Sequence, residues 1–146
     1  MEKILVSACL VGDNTRYDGK NCLNEEVMKL NEKFDFVLVC PEISGGLSVP
    51  RPRAEIIDGK VFTEYKIDIT KKYLAGIDQI LPVVKYFHIT KAILKENSPS
   101  CGVHKIHNGK FNGGLIDGQG LLTKKLLEFG VEVYSENDLD KLINNQ

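Results

Sequence analysis

The four cysteines, Cys9, Cys22, Cys40 and Cys101, are the side chains of this sequence best suited to metal binding or nucleophilic chemistry. We expect a cytoplasmic protein, because the apolar run near the N-terminus ends at Val11 and is too short for a secretory signal. Disulfides are rare in the cytoplasm, where cysteines in special contexts are candidates for metal ligands or catalytic thiols. A buried cysteine can also be just a small apolar side chain. The neighbours of each cysteine must therefore decide its role.

Three of the cysteines follow apolar runs that predict buried strands. Cys9 closes the run VSAC, Cys40 closes VLVC, and Cys101 closes AILKENSPSC. In a parallel sheet the carboxyl ends of the strands meet at one edge, where ligands bind. We therefore expect Cys9, Cys40 and Cys101 to converge at one site. Cys22 lies in a polar loop with no strand before it, and we interpret it as incidental.

The elements that must position these cysteines alternate between strands and helices, which predicts a parallel sheet. The predicted strands are residues 3–8, 36–39, 87–94 and 131–134, and the predicted helices are residues 25–34, 68–86, 121–129 and 135–145. Asp58-Gly59 between two β-rich runs predicts a hairpin. The expected fold class is α/β: a single-domain, Rossmann-like, mainly parallel sheet with flanking helices and a β-hairpin.

Proline and glycine set two further expectations. Residues 41–55 are rich in both, which argues against a helix or a central strand and predicts a long loop. Long loops in compact domains are often functional. Pro82 lies inside the predicted helix 68–86 and favours a kink or an early end there.

Three converging thiolates could hold zinc, hold an iron–sulfur cluster or act as nucleophiles. Structural zinc sites usually have four ligands, often in C-x2-C pairs, and this sequence has no such pair. A histidine could supply a fourth ligand, but none of the three stands in a distinctive context: His88, His104 and His107. Three cysteines alone leave one coordination position open, as in catalytic metal sites. A thiol enzyme with Cys101 as nucleophile lacks an obvious histidine partner.

Several polar residues adjoin these cysteines and the loop that follows Cys40. Glu42 lies two residues after Cys40, and it is either an acid/base group or a solvated loop residue. Ser98 and Ser100 precede Cys101, and they are either functional hydroxyls or part of a serine-rich turn. Arg51 and Arg53 stand next to prolines in the loop after Cys40. They either bind an anionic group through paired hydrogen bonds or lie in a surface turn.

Composition limits the possible partners. The 146 residues are 42% hydrophobic and 27% charged, which suits one soluble domain spanning residues 1–146. The formal charge of −1 argues against duplex nucleic acid as a partner, because duplex-binding proteins usually carry a basic excess. No apolar stretch is long enough to span a membrane. The glycine pairs match no nucleotide-binding fingerprint.

Several motifs are spread along the chain from residue 9 to residue 123: CLVG with RYDG, CPEISGGLSVPRPRAE, DIT, AILKENSPSCG, NGKFNGG and DGQGLLT. With these motifs the chain resembles, over almost its whole length, the thiouracil desulfidase (TudS) family, long known only as a bacterial domain of unknown function. The resemblance implies a [4Fe–4S] cluster held by Cys9, Cys40 and Cys101, with the fourth iron free. It also implies a non-redox enzyme that removes sulfur as sulfide from a thiolated pyrimidine, either a thiouracil-type base or its nucleotide.

On this resemblance, Glu42 is the expected acid/base. Ser98 is the first candidate for positioning the substrate or passing on a proton, and Ser100 is the second. Arg51 and Arg53 are expected to bind the substrate, for example through a phosphate. The alternative keeps the cysteines without the enzyme: a zinc or iron–sulfur binding module in sulfur handling. The sequence leaves the physiological substrate and the oligomeric state open.

Overall fold

The computed structural model describes residues 1–144. In chain order its strands are β1 (Glu2–Ser7), β2 (Phe34–Val39), β3 (Ala54–Ile57), β4 (Lys60–Thr63), β5 (Lys91–Leu94), β6 (Lys105–His107), β7 (Leu115–Asp117) and β8 (Glu132–Ser135). The helices are α1 (Glu25–Lys29), α2 (Pro41–Ser44), α3 (Thr70–Tyr86), α4 (Leu121–Glu128) and α5 (Leu139–Asn144). Short 3₁₀ turns follow β1 at Ala8–Val11 and α1 at Leu30–Glu32.

Four strands form one parallel sheet in the order β2-β1-β5-β8. Two antiparallel hairpins, β3–β4 and β6–β7, lie outside this sheet. The parallel sheet and the β3–β4 hairpin confirm the predicted α/β class. The carboxyl ends of β1, β2 and β5 lie side by side, since β1 pairs with both β2 and β5.

Helices cover both faces of the parallel sheet, so its two central strands, β1 and β5, are mostly buried. On one face Leu5 and Leu94 pack with residues of α3 and α4, including Ile77 and Leu126. On the other face Ile4, Val6, Phe34 and Ile93 pack with side chains from α1 and α5, including Val27 and Leu142. The core therefore fixes the strand ends from two sides.

The predicted strand 87–94 is wrong in its first half. The backbone N–H groups of Phe87, His88 and Ile89 donate to carbonyls of the last turn of α3, and they therefore close that helix. His88 has a φ of 53°, which no strand residue adopts. The strand begins only at Lys91.

Three other predicted elements are corrected. Residues 41–44 form the one-turn helix α2, which accommodates Pro41 because the first helical position needs no N–H donor. Helix α3 continues past Pro82 to Tyr86, so the early end is wrong. Helix α5 begins at Leu139 rather than near residue 135, and the predicted last residue of that helix, Asn145, lies outside the described residues. Within residues 1–144 no helix has the length and apolar character to cross a membrane.

Candidate active site

The three strand-end cysteines line one cavity of about 390 Å³. Cys9 lies in the 3₁₀ turn directly after β1, and Cys40 is the residue between β2 and α2. Cys101 lies in the loop after β5. The predicted convergence of these cysteines therefore occurs at the carboxyl edge of the parallel sheet.

The loop that carries Cys101 is held by hydrogen bonds on both sides of the cysteine. The backbone N–H of Cys101 donates to Ser98 Oγ at 2.7 Å, and Thr123 Oγ1 in α4 donates to the Cys101 carbonyl at 3.0 Å. The N–H of Leu122 donates to the Ser100 carbonyl at 2.9 Å. The first turn of α4 therefore fixes the backbone that presents the Cys101 thiol.

Glu42 is positioned by close packing of α2 against α3. A Cβ atom on Gly45 would overlap the carbonyl of Lys72, and one on Gly76 would overlap the carbonyl of Pro41. Only glycine at these two points allows the helix backbones to approach this closely. Glu42 is consequently buried beside the cavity, with 8% of its surface exposed.

The carboxylate of Glu42 joins the polar groups around two of the cysteines. Ser100 Oγ donates to Glu42 Oε1 at 2.8 Å and lies 3.4 Å from Cys101 Sγ. Cys40 Sγ lies 3.9 Å from the same Glu42 oxygen. Ser98 Oγ is 3.3 Å from Ser100 Oγ. The structure thus brings Glu42, Ser98 and Ser100 together beside Cys40 and Cys101.

Burial raises the pKa of all three cysteine thiols. Burial raises the pKa of Cys101 to about 12, and the Glu42 carboxylate adds to this effect. Burial and then Glu42 raise the pKa of Cys40, and burial and then Cys101 raise the pKa of Cys9. Thiolates at these positions therefore need a cationic partner, which a bound metal centre supplies.

The chemistry of the donors bears on which metal centre they fit. Three cysteine side chains line the one cavity. Iron–sulfur clusters are held by cysteine thiolates, so this donor set fits such a cluster. In residues 1–144 no group of three Cys, His, Asp or Glu side chains is placed to hold a single metal ion.

The family model for 2-thiouracil desulfurase matches residues 4–138. The chain belongs to this family. The protein YbbK of Bacillus subtilis (strain 168) is 40% identical over 150 residues, which cover 96% of this chain and 99% of YbbK. A solved structure of the [4Fe-4S]-dependent thiouracil desulfidase TudS is 39% identical, has a TM-score of 0.93, and is matched over 99% of this chain and 97% of its own.

The two predicted substrate-binding arginines line the cavity of this desulfurase-family chain. Arg51 donates from Nη2 to the Thr15 carbonyl at 2.8 Å and from Nη1 to the Ser48 carbonyl at 3.3 Å. Arg53 Nε pairs with Glu64 at 3.1 Å, and 46% of the Arg53 side chain is exposed. Arg51 therefore braces two loops, whereas Arg53 makes a surface ion pair.

Four more residues line the desulfurase-family cavity: Arg16, Cys22, Tyr73 and His107. The sequence analysis gave no role in the site to Arg16 or Tyr73, interpreted Cys22 as incidental, and weighed His107 only as a fourth metal ligand. The backbone N–H of Cys22 donates to the Cys9 carbonyl at 2.9 Å, which places the fourth cysteine beside the other three. Its incidental role stays a prediction. The hairpin β6–β7 brings His107 to the cavity, and the glycine-rich turns of NGKFNGG between two short β-forming runs were the signal for it.

Proposed function

We propose that this chain is a [4Fe–4S]-dependent hydrolytic desulfidase that removes sulfur, as sulfide, from a thiolated pyrimidine. One observation carries the proposal: three strand-end cysteines line the same cavity as the buried carboxylate of Glu42, which accepts a hydrogen bond from Ser100. The likeness to a [4Fe-4S]-dependent thiouracil desulfidase supports both the cofactor and the reaction. The described fold suits a single domain spanning residues 1–146.

Cys9, Cys40 and Cys101 would hold the cluster, because they are the three cysteines that the adjacent strands β1, β2 and β5 deliver to the cavity. When bound, a cluster with one iron free of protein ligands supplies a Lewis acid with a high affinity for sulfur. The remaining chemistry falls to the side chains around it.

Glu42 is the proposed general base. The overall reaction replaces C=S by C=O: a water oxygen bonds to the ring carbon, the bond from that carbon to sulfur breaks, and the sulfur leaves as sulfide with the two protons of the water. The water must lose a proton as its oxygen attacks the ring carbon, and the Glu42 carboxylate beside the cavity can take that proton. Ser100 orients the carboxylate through its 2.8 Å hydrogen bond.

Ser98 and Ser100 are proposed to have different roles. Ser98 Oγ accepts the Cys101 N–H, so it shapes the ligand loop, while Ser100 contacts Glu42 directly. We therefore propose Ser100 as the hydroxyl that acts with the base. Ser98, which lies 3.3 Å away, can extend the proton path from Ser100.

An arginine is proposed to recognise an anionic part of the substrate, such as a nucleotide phosphate. The ion pair between Arg53 and Glu64 is open to solvent, which screens it, so it can open for a phosphate at small cost. Both terminal nitrogens of Arg51 already donate hydrogen bonds to loop carbonyls. Arg53 is therefore the better candidate for a phosphate contact.

Anaerobic reconstitution followed by a product assay tests the proposed function. We expect the loaded protein to convert 2-thiouracil or its nucleotide into the oxo product, with one sulfide per product and no added reductant. Reaction in ¹⁸O-labelled water should place the label in the product. A protein that binds iron and releases no sulfide from a panel of thiolated bases and nucleotides would instead be a binding module in sulfur handling, and the enzymatic proposal would be wrong.

A further inference from the structure

Tyr73 is a polar residue of the cavity to which the proposed function has so far given no role. It lies near the start of α3, and only 2% of its surface is exposed. Its side chain nevertheless makes no hydrogen bond within residues 1–144. Buried tyrosine hydroxyls usually have a hydrogen-bond partner, so this hydroxyl needs an explanation.

The Tyr73 hydroxyl differs from the polar atoms that packing seals off. Within residues 1–144, the buried side-chain nitrogen and oxygen atoms that lack a partner and are closed to water are Arg16 Nε and His107 Nδ1. The Tyr73 oxygen also lacks a partner but is not closed to water. Because the rest of the residue is buried and it lines the cysteine cavity, this small opening leads into the cavity.

The charges that act on the Tyr73 hydroxyl locate it independently of the cavity lining. Burial raises the pKa of Tyr73 well above its usual range, the Glu42 carboxylate raises this pKa further, and the Arg51 guanidinium lowers it. Cys40 and Cys101 also raise it. Interactions between charges weaken with distance, so the hydroxyl lies near the proposed base and near two of the proposed cluster ligands.

The helix that carries Tyr73 is fixed on either side of this residue. The backbone N–H of Val61 in β4 donates to Thr70 Oγ1 at the start of α3, at 2.8 Å. Three residues after Tyr73, Gly76 lies so close to the Pro41 carbonyl that a Cβ atom there would overlap it. The tyrosine ring is therefore presented from a held helix, which suits a residue that must orient a ligand.

We propose that the Tyr73 hydroxyl donates a hydrogen bond to the carbonyl oxygen of the substrate ring, an inference that rests on the proposed function. A 2-thiouracil ring carries one carbonyl oxygen besides the sulfur that is removed, and both of its ring nitrogens carry hydrogen. That oxygen is therefore the acceptor that the ring offers to a neutral phenol O–H. Tyr73 thereby selects a ring with this second carbonyl and holds it beside Glu42.

The substitution Tyr73→Phe tests the contact, because it removes the hydroxyl and keeps the ring. Uracil, the oxo product, is a suitable probe, since its binding requires no turnover and calorimetry on the cluster-loaded protein measures it. We expect Tyr73→Phe to load iron as the parent does and to bind uracil about three- to tenfold more weakly, as for loss of one neutral hydrogen bond. Its Tm should not fall, because the hydroxyl makes no hydrogen bond within residues 1–144.

Tyr134→Phe is the matched control. It removes another buried tyrosine hydroxyl, from the core on the opposite face of the sheet and away from the cavity lining. This variant should bind uracil as the parent does. Uracil affinity in Tyr73→Phe equal to that of the parent, or no uracil binding by the parent, would overturn the assignment.

A second probe, pyrimidin-2-one, lacks the second carbonyl and identifies the atom that Tyr73 contacts. The parent should prefer uracil to pyrimidin-2-one, and Tyr73→Phe should reduce this preference about three- to tenfold. A merely structural role would lower the Tm and leave the preference intact, and an intact preference would overturn the contact. Sulfide release by the parent decides the proposed function separately, so the failure of one is distinguishable from the failure of the other.

Discussion

Ser100 Oγ donates a hydrogen bond of 2.8 Å to Glu42 Oε1, although 58 positions separate the two residues in the sequence. The bond joins the loop after β5, which carries Cys101, to the one-turn helix α2, which begins directly after Cys40. The proposed base is therefore coupled to the backbone that presents Cys101. A change in the loop after β5 or in α2 should therefore alter both the proposed cluster site and the position of the Glu42 carboxylate.

The first prediction concerns Glu42→Gln, which keeps the size of the side chain and removes the base. We expect the variant to load iron as the parent does and to release sulfide about 10²–10⁴-fold more slowly, the usual contribution of a general base. Iron content and the sulfide release rate are measured on the same preparation. A Gln variant that releases sulfide at the parent rate would show that Glu42 is not the base.

The second prediction concerns the cluster ligands. A cubane cluster contains about four irons, and we expect about four per chain after anaerobic reconstitution. Cys9→Ser, Cys40→Ser and Cys101→Ser should each lose most of this iron, whereas Cys22→Ser should retain it. Iron and acid-labile sulfide analysis measures the loading. Equal losses from all four variants would make Cys22 a ligand and contradict its interpretation as incidental.

The third prediction separates base from nucleotide substrates. Arg53→Ala should lower kcat/KM for a thiolated nucleotide about ten- to a hundredfold, as for loss of a charged hydrogen bond, and leave kcat/KM for the free base unchanged. Glu64→Gln is the control, because it removes the partner of Arg53 and keeps the guanidinium. Arg51→Ala should lower thermal stability, because Arg51 ties two loops together. Equal losses for nucleotide and base in Arg53→Ala, with a lower Tm, would mean that Arg53 only braces its loop.

The fourth prediction concerns the contact between α2 and α3. In Gly76→Ala the new methyl group would overlap the Pro41 carbonyl, so α2 must shift and carry Glu42 with it. Overpacking of this kind costs about 1–3 kcal/mol, although alanine itself favours a helix over glycine. Urea unfolding should show the loss, and sulfide release should fall with it. Gln79→Ala on the exposed side of the same helix is the control, and equal stability of the two variants would contradict the packing argument.

The arrangement of the site was predictable where it follows from strand direction. Cys9 and Cys40 adjoin buried strands, and parallel strands must end at one edge, so their convergence needed no tertiary detail. The position of Glu42 followed from Cys40, two residues earlier. Its bond to Ser100 was not predictable, since no local pattern relates residues of two separate loops.

The errors in the fold have local physical causes. The β-forming residues Phe87 and Ile89 predict a strand, but the N–H groups of residues 87–89 donate to carbonyls at the end of α3. Helix termination therefore overrode strand propensity. The positions of Arg16 and His107 at the cavity depend on how their loop and hairpin pack, which a single sequence does not encode in any periodic pattern.

The strands β1, β2 and β5, which lead to the three candidate ligands, are neighbours in space, but β5 follows β2 in the chain only after β3, β4 and α3. During synthesis Cys9 and Cys40 are therefore made well before Cys101. The cavity that all three thiols line forms only when β5 has paired with β1. On the proposed ligand set, the complete cluster site thus exists only after the parallel sheet has assembled.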